Sequence, residues 1–466
     1  MATDPRDRGP QTGDVARGED AEHHLGLVNV AGAGGERSIG RPVTAERPMH
    51  PHVHVVIVAI IGALSVLAWL VVFTVVNRFL WENEFVVANP WLFPVICLPF
   101  SLLVGLLVKH RHAPTTLDES LMDSLAGDVT KIDWRALPVN ILMAWASLFS
   151  GAVLGPEGGI GGIASKVAIL YSEKVGIPVE HRSRLVFSTL ASAYNGLIAN
   201  PLFTGVLGTE LIGDAQSRSR NLPANLIGGA IGYLVFFAVG STGLNDYLGL
   251  SPAGSYHLLD VVLVVLFGLV GLVLALITGA MFRVSAAVFG RFAGREVERA
   301  LVAGVVFSIV GMFAPILLFS GETQIKEVAA DPMAYGAAVL VGMALVKLAL
   351  LAVAFKSGFL GGPTFPAIFA SVCVALAISR LAPGIPLEVI IGGIMGGFLL
   401  VLFKAPLMVI LLTAVMLQAS TELIALILLA VAVVLVVLPY VMAALARLQG
   451  ARASGTGAAG HQQAGR

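Results

Sequence analysis

The chain has 466 residues, of which 57% are hydrophobic and only 12% are charged. A soluble protein of this length carries about 25% charged residues, so the composition excludes an ordinary soluble globular protein and favours an integral membrane protein. The formal net charge is zero, which gives no sign of a nucleic-acid partner.

Polar tails are predicted at both ends of the chain. Residues 1–50 are rich in Gly, Asp, Glu and Arg and lack apolar periodicity, which predicts a disordered segment. This segment lacks the basic and then apolar order of a signal peptide, and it is too acidic for a transit peptide. Residues 448–466 form a Gly/Ala/Gln-rich stretch that is also predicted to be unstructured. The membrane domain is therefore predicted to cover residues 51–447.

The apolar segments between the tails are irregular in length. Segments long enough to cross a hydrocarbon core, which takes about 20 residues, lie at 53–77, 258–282, 297–318, 333–355 and 421–446. Shorter segments, many of them interrupted by Gly or Pro, lie at 90–108, 137–154, 158–172, 184–199, 202–213, 224–240, 364–382, 385–403 and 405–418. This irregularity is typical of transporters in which discontinuous helices meet around a site near the middle of the bilayer.

The two cysteines give no sign of a disulfide or a metal site. Cys97 and Cys373 both lie in apolar segments and have no partner nearby in sequence, so they are predicted to be small core residues. The sequence also shows no metal-ligand cluster and no nucleophile–base pair, so neither a cofactor nor an enzyme activity is predicted.

A single glutamate lies inside a glycine-rich break between two strongly apolar segments. The break reads Gly-Pro-Glu-Gly-Gly-Ile-Gly-Gly over residues 155–162, with the glutamate at Glu157. A carboxylate at membrane depth costs roughly 2.5–3.5 kcal/mol on insertion scales, so such residues usually mark an ion or proton pathway. The glycines and Pro156 indicate an interrupted helix, and a new helix N-terminus presents backbone N–H groups to an anion.

The spacing of the Gly/Pro breaks indicates an internal repeat. In the first half Pro201 follows Gly155, and in the second half Pro406 follows Gly361 at nearly the same interval. Leucine comes next after both prolines. Corresponding broken segments in duplicated halves point to a transport site.

Several motifs resemble those of the CLC family of chloride channels and proton-coupled chloride transporters. Residues 155–159 (GPEGG) resemble the family's G-[KR]-E-G-P motif, and residues 362–366 (GPTFP) resemble its G-x-F-x-P motif. Further matches follow in the family's order between residues 100 and 445, at Leu137-Pro138-Val139, Asn200-Pro201-Leu202, Ser320-Gly321-Glu322-Thr323 and Lys404-Ala405-Pro406-Leu407.

The resemblance implies an all-α integral membrane protein built from many tilted and broken helices. Its halves, about 51–240 and 255–447, would be inverted-topology repeats. The resemblance further implies a multi-pass protein of the cell membrane with cytoplasmic tails, and a homodimer with one pore in each subunit. The transported partner would be chloride or a similar anion, together with protons if the protein is an exchanger.

By this resemblance Glu157 is the gating glutamate, whose carboxylate occupies the anion path when charged and swings away on protonation. The N–H groups at Gly158 and Gly159 are expected to bind the anion with which that carboxylate competes. The family's Lys or Arg before the glutamate is replaced here by Pro156. The alternative is a buried structural glutamate paired with Lys or Arg, although no basic residue lies close by in sequence.

The second motif departs further from the family pattern. In the family, backbone N–H groups beside the phenylalanine bind the anion, but Pro363 has no N–H, so at least one donor should be missing. Thr364 stands at the phenylalanine position, and Phe365 follows it. Either the Thr364 hydroxyl replaces the donor or the loop shifts by one residue. The alternative for both residues is packing of a broken helix.

Three further site residues follow from the resemblance. Thr116 takes the place of the family's pore serine in a gapless count, with Thr115 as the alternative. Tyr440 matches the pore tyrosine of the last helix, although tyrosine is also common at membrane interfaces. Glu210 lies one position short of the inner glutamate of proton-coupled members. It is either a proton relay or a carboxylate at a helix end.

The leading hypothesis is transport of chloride or a related small anion, by a channel or an H⁺/Cl⁻ exchanger gated by Glu157. The motifs do not choose between channel and exchanger. The alternative is a secondary transporter for another anion or a cation, with Glu157 as the coupling carboxylate. A third hypothesis is a membrane scaffold that transports nothing and whose pore motifs have decayed.

Overall fold

The structure is a computed structural model that describes residues 51–115, 129, 132–211, 215–240, 248, 255–331 and 334–463. The predicted N-terminal tail and Thr116 lie outside these residues. Sixteen α-helices and no strand occur in the described ranges. The helices are α1 (Pro51–Trp81), α2 (Glu84–Ala88), α3 (Phe93–Arg111), α4 (Leu137–Phe149), α5 (Glu157–Val175), α6 (Val179–Tyr194), α7 (Pro201–Leu211), α8 (Ala215–Ala238), α9 (Leu258–Phe289), α10 (Glu296–Phe313), α11 (Glu322–Ala330), α12 (Ala337–Lys356), α13 (Thr364–Leu381), α14 (Leu387–Phe403), α15 (Pro406–Met416) and α16 (Thr421–Gln463). Short 3₁₀ helices lie at Pro90–Leu92, Trp134–Ala136, Gly290–Phe292 and Pro315–Leu317.

The order of helix lengths repeats between the two halves of the chain. Helix α1 has 31 residues and α9 has 32, and α3 has 19 whereas α10 has 18. Helices α5, α6 and α7 have 19, 16 and 11 residues, and α13, α14 and α15 have 18, 17 and 11. The predicted all-α fold with two repeats is confirmed.

Seven segments among the described residues are long and apolar enough to cross a membrane, judged by length and composition. They are His52–Trp81, Pro90–Arg111, Arg218–Ala238, Leu258–Phe292, Ala337–Lys356, Thr364–Leu381 and Thr421–Arg447. The predicted span at 297–318 is not among them and stays a prediction. Its helix begins with Glu296, Glu298 and Arg299 and ends at Phe313, which leaves fewer apolar residues than the roughly 20 that a span needs.

The C-terminal boundary also differs from the prediction. Helix α16 continues to Gln463, so residues 448–463 extend a helix where an unstructured tail is predicted. Adding Ala, Arg and Gln residues to a helix that already exists costs much less than starting a new one, because nucleation is the unfavourable step. The hydrophobic pattern therefore gives the end of the membrane segment but not the end of the helix.

Glycines let helix backbones approach each other closely in both halves. A Cβ atom added to Gly397 of α14 would collide with the backbone carbonyl of Gly268 in α9. A Cβ atom added to Gly228 of α8 would collide with the carbonyl of Ser188 in α6. Lipid tails are as apolar as the helix surface, so the hydrophobic effect does not drive helices together in a bilayer. Close van der Waals contacts between small residues stabilise helix association there.

Helices α5 and α13 occupy the centre of the fold. Every residue from Glu157 to Ile169 in α5 is buried, and so is every residue from Thr364 to Cys373 in α13. Both helices begin inside the protein and not at its surface, and this places their N-termini where a buried site can form.

We expect Gly397→Ala to lower the free energy of unfolding by about 1–3 kcal/mol, because the new methyl group meets backbone that cannot move away. Thermal unfolding of the purified protein in detergent measures the change. The matched control is Gly279→Ala on α9, where an added Cβ meets nothing within 4 Å. Since alanine favours a helix over glycine by about 0.5–1 kcal/mol, this control should be neutral or stabilising. Equal destabilisation by both variants would contradict the close packing of α9 on α14.

Candidate functional site

Two helix N-termini meet through a reciprocal pair of backbone hydrogen bonds. The N–H of Gly155 donates to the carbonyl of Gly362 at 2.7 Å, and the N–H of Gly362 donates to the carbonyl of Gly155 at 2.8 Å. Two residues that exchange both bonds form an antiparallel bridge, the pairing expected across an approximate two-fold axis. Because α5 begins at Glu157 and α13 at Thr364, the bridge holds the two helix starts side by side.

The bridge also sets the register between the repeats. It pairs the segment Gly155-Pro156-Glu157 with Gly362-Pro363-Thr364. The proline spacing in the sequence instead pairs Gly155 with Gly361. The pairing from the sequence is therefore wrong by one residue. Pro156 (φ −74°, ψ −1°) and Pro363 (φ −91°, ψ −5°) both have right-handed helical backbone at the residue before the helix. Thr364 is therefore the counterpart of Glu157 in the second half.

The Glu157 side chain lies between the two bridged glycines. It is 5% exposed, and a Cβ atom on either Gly155 or Gly362 would collide with its carboxylate. Only glycine at both positions leaves room for the carboxylate. Among the described residues neither carboxylate oxygen has a hydrogen-bond partner, and Glu157 forms no ion pair. The alternative of a structural glutamate held by Lys or Arg finds no support in this part of the chain.

Hydrogen-bond donors lie close to the Glu157 carboxylate. They are the backbone N–H groups of Glu157 and Thr364 and the Thr364 hydroxyl, although none reaches hydrogen-bond geometry with either oxygen. The Glu322 carboxylate is also close enough to repel the charge of Glu157. The first N–H groups of a helix have no acceptor within it, and the helix dipole makes this end positive. An acceptor without a partner, surrounded by donors, indicates a place that a small anion also fits.

The remaining predicted residues of the two helix starts have different surroundings. Gly158 packs on the backbone of Gly361, with an added Cβ only 3.1 Å from the Gly361 carbonyl oxygen, and Gly159 packs on the Trp69 side chain. Both glycines belong to the first turn of α5. Phe365 is fully buried in the core next to Thr364. Anion binding by their backbone N–H groups stays a prediction.

Tyr194 is a site residue that the sequence analysis missed. It is the buried last residue of α6, and its hydroxyl donates to the Glu157 backbone carbonyl at 3.0 Å. The contact ties the C-terminus of α6 to the first turn of α5. No charge or motif marks this tyrosine in the sequence, because its role depends on how the two helices pack.

Tyr440, in contrast, does not lie at this site. Its side chain on α16 is 74% exposed, whereas Glu157 is buried. Helix α16 also passes through Pro439 without ending, so no helix terminus points the tyrosine inward. A side chain that is mostly exposed cannot line a buried gap, so the predicted pore role of Tyr440 is wrong.

Glu210 caps a helix of the other half. Its two carboxylate oxygens accept hydrogen bonds from the N–H groups of Leu407, at 3.0 Å, and Met408, at 2.6 Å, in the first turn of α15. A carboxylate at this position satisfies backbone donors and complements the helix dipole. Of the two alternatives for Glu210, the structure therefore shows the helix-end carboxylate, and the proton relay stays a prediction. Thr116 cannot be placed, since it lies outside the described residues.

A cavity of about 620 Å³ leads toward the start of α5. It reaches Pro156, the residue before Glu157, and its wall includes the segment from Ser320 to Gln324, except Gly321. The charged residues in its described lining are Glu82, Glu322 and Glu327. This vestibule is acidic, while the gap behind it presents donors.

We expect Tyr194→Phe to lower the free energy of unfolding by about 1 kcal/mol, because the variant removes one buried hydrogen bond to the Glu157 carbonyl. Thermal unfolding in detergent measures this loss. The matched control is Tyr233→Phe on α8, since no hydrogen bond of the Tyr233 hydroxyl occurs in the described structure. The contact would be unimportant if both variants unfolded at the wild-type temperature.

Comparison with known proteins extends the sequence resemblance. Residues 100–438 match the family model described as "Voltage gated chloride channel". A protein of Escherichia coli (strain SMS-3-5 / SECEC) named "Putative ion-transport protein YfeO" is 24% identical, over 71% of this chain and 78% of its own length. A relative of the same name from Escherichia fergusonii is 25% identical, over 67% of this chain and 74% of its own length.

Solved structures share the fold. The structure of a slow cyanobacterial Cl⁻/H⁺ antiporter aligns with a TM-score of 0.69 and 18% identity, covering 83% of this chain and 93% of that chain. A CLC-type fluoride/proton antiporter aligns with a TM-score of 0.62 and 17% identity, covering 82% and 94%. The family model covers well over half of the sequence, and the chain belongs to the voltage gated chloride channel family.

Proposed function

We propose that the protein carries chloride or a related small anion across the cell membrane through the gap between the starts of α5 and α13. The observation that supports this most is the buried Glu157 carboxylate, which lies against Gly155 and Gly362 without a cationic partner in the described structure. A carboxylate and a halide both accept hydrogen bonds from N–H and O–H groups, so they compete for one place. The charged Glu157 carboxylate fills the gap and blocks the anion. The protonated carboxyl group moves out of the gap and opens the path.

The polarity of the gap favours an anion over a cation. A cation site presents carbonyl or carboxylate oxygens, whereas the helix starts at Glu157 and Thr364 present N–H groups and a hydroxyl. These groups carry no full positive charge, so they bind an anion weakly enough for it to leave again, as conduction requires. The Thr364 hydroxyl takes over from the N–H that Pro363 lacks.

A second candidate function is transport of a cation or a different anion, with Glu157 as the coupling carboxylate. The acidic lining of the vestibule favours it, since Glu82, Glu322 and Glu327 attract cations, including protons. The same carboxylates also suit an exchanger, because they raise the local proton concentration beside the gap. A flux assay with ion substitution separates these functions.

The proposal includes a homodimer with one gap in each subunit. The family resemblance supports this assembly, and the short helices α7 and α15 offer apolar side chains such as Leu202 and Leu407 on the surface. Chemical cross-linking of the protein in liposomes tests for the dimer.

The principal test is Glu157→Gln in liposomes, with chloride, fluoride and nitrate flux and proton movement recorded together. Wild-type anion flux should rise as the pH falls, because protonation removes the charge that holds the carboxylate among the donors. Glutamine stays neutral at every pH, so the variant should lose the pH dependence and any coupled proton movement. The direction of the pH effect follows from the proposed blocking of the gap by the charged Glu157 carboxylate. Low pH protonates this carboxylate and opens the path, and high pH closes it.

The matched control is Glu327→Gln, which removes an exposed carboxylate from the vestibule but leaves the gap unchanged. The flux of this variant should still rise as the pH falls, since Glu157 is unchanged, although loss of one vestibule carboxylate can shift the midpoint. If the anion flux of the Glu157→Gln variant still depended on pH, the proposed gating role of Glu157 would be refuted. Potassium or sodium flux without halide flux would establish the second candidate function.

We expect Thr364→Val to weaken anion binding by about 1 kcal/mol, roughly fivefold to tenfold, because valine has nearly the same shape but no hydroxyl donor. Isothermal titration of chloride to the detergent-solubilised protein measures the affinity. Thr364→Ser is the matched variant, since it keeps the hydroxyl and should bind within about twofold of wild type. If the valine and serine variants bound chloride with equal affinity, the Thr364 hydroxyl would not contribute to anion binding.

A further inference from the structure

A second cavity lies at the end of α6 that is opposite to Tyr194. Its volume is about 300 Å³, and three helices line it, with His52 from α1, His181 and Arg184 from α6, and Arg220 and Pro223 from α8. These residues play no part in the proposed anion path. The cavity therefore needs an explanation of its own.

The charged residues in the described lining of this cavity are both positive, Arg184 and Arg220. Two arginines and two histidines line it, and none of the described lining residues carries a carboxylate. The ion pairs of the described residues include neither Arg184 nor Arg220. Among the described residues, the Arg220 guanidinium donates to the backbone carbonyl of Glu180 at 2.5 Å. Neither the Arg184 nor the Arg220 guanidinium therefore has a carboxylate partner in the described structure.

Two side-chain nitrogen atoms at the cavity lack partners. The Nε atom of Arg184 and the Nδ1 atom of His181 are both buried, and neither has a hydrogen-bond partner in the described part of the chain. Leaving a buried polar group without a partner costs about 1–3 kcal/mol, and more when the group is charged. An acceptor with negative charge that enters the cavity would remove this cost for Arg184, and for His181 in the tautomer that carries the proton on Nδ1.

The start of α6 adds to the positive potential. Helix α6 begins at Val179, so His181 lies in its first turn. Backbone N–H groups and the positive end of the helix dipole accompany the side chain there. The cavity thus combines two arginines, two imidazoles and one helix start around one volume.

We propose that this cavity binds a phosphate group, carried by an anionic phospholipid or by a soluble phosphate compound. A volume of about 300 Å³ is far larger than a halide needs, and the guanidinium fork matches the oxygen spacing of phosphate. The site also lies where the candidate spans His52–Trp81 and Arg218–Ala238 begin, which is the level of lipid head groups. Val55, Leu185 and Ala224 supply an apolar wall beside the charges.

The test uses the full chain in nanodiscs and measures thermal unfolding. In one arm, inorganic phosphate is titrated into phosphatidylcholine nanodiscs while chloride keeps the ionic strength constant. In the other arm, phosphatidylglycerol replaces part of the phosphatidylcholine, and native mass spectrometry counts the retained lipids. A ligand that binds only the folded protein raises its unfolding temperature, so one or both arms should show a rise.

The key variant is Arg184→Gln combined with Arg220→Gln. It should reduce the apparent affinity for phosphate, or the retention of phosphatidylglycerol, by at least about tenfold, because two charged donors are lost. The matched control is Arg182→Gln, which removes one arginine charge from α6, the helix that carries Arg184. Arg182 pairs with Glu173 at 3.5 Å and does not line the cavity, so its effect should stay within about twofold.

A further variant keeps the result interpretable if the glutamine protein folds poorly. Arg184→Lys combined with Arg220→Lys keeps both charges and should retain part of the affinity, with elution on size exclusion like that of wild type. A response to phosphate alone assigns a soluble ligand, and a response to phosphatidylglycerol alone assigns a lipid; either supports the site. No response in both arms, or an equal loss in Arg182→Gln, overturns it.

Discussion

The reciprocal hydrogen bonds between Gly155 and Gly362 are the constraint on which the site depends. They place two helix starts so close that only the absence of side chains at both glycines leaves room for the Glu157 carboxylate. Without this bridge, the dipoles of α5 and α13 would act on separate regions of the interior. With it, both positive ends act on one small volume, and a charged side chain becomes tolerable at a depth where it would otherwise be expensive.

A second tie between the halves follows the same geometry. Glu210 of α7 caps α15, and α7 and α15 are the two helices of 11 residues, just as α5 and α13 are counterparts at the bridge. At both contacts a helix of the first half meets its counterpart in the second half. The bridge is reciprocal, whereas the cap is made by one half alone. The halves therefore share a backbone plan but differ in the acidic side chains at these two contacts.

The sequence predicts the helix breaks well because glycine and proline act locally. It places the helix starts near Glu157 and Thr364, but it misses the register by one residue, since Gly361 and Gly362 are alike in sequence and only tertiary pairing distinguishes them. Tyr194 is not predictable, because its bond to Glu157 joins residues of different helices. The predicted pore role of Tyr440 is wrong for another reason. The place of a residue in the order of the motifs does not determine which face of α16 it occupies.

The interior balances its isolated charges with dipoles and not with opposite charges. Lys347 is fully buried, yet its ammonium group donates to the Leu318 carbonyl at 2.7 Å and lies 4.7 Å from the centre of the Phe369 ring. In the described structure it forms no ion pair with Glu157 or any other acid. A salt bridge between the two would hold the carboxylate fixed, since breaking a buried pair costs about 3–5 kcal/mol. Because carbonyl and ring dipoles satisfy the lysine separately, no salt bridge to Lys347 fixes the Glu157 carboxylate, which is a condition of the proposed role of Glu157 as a movable gate.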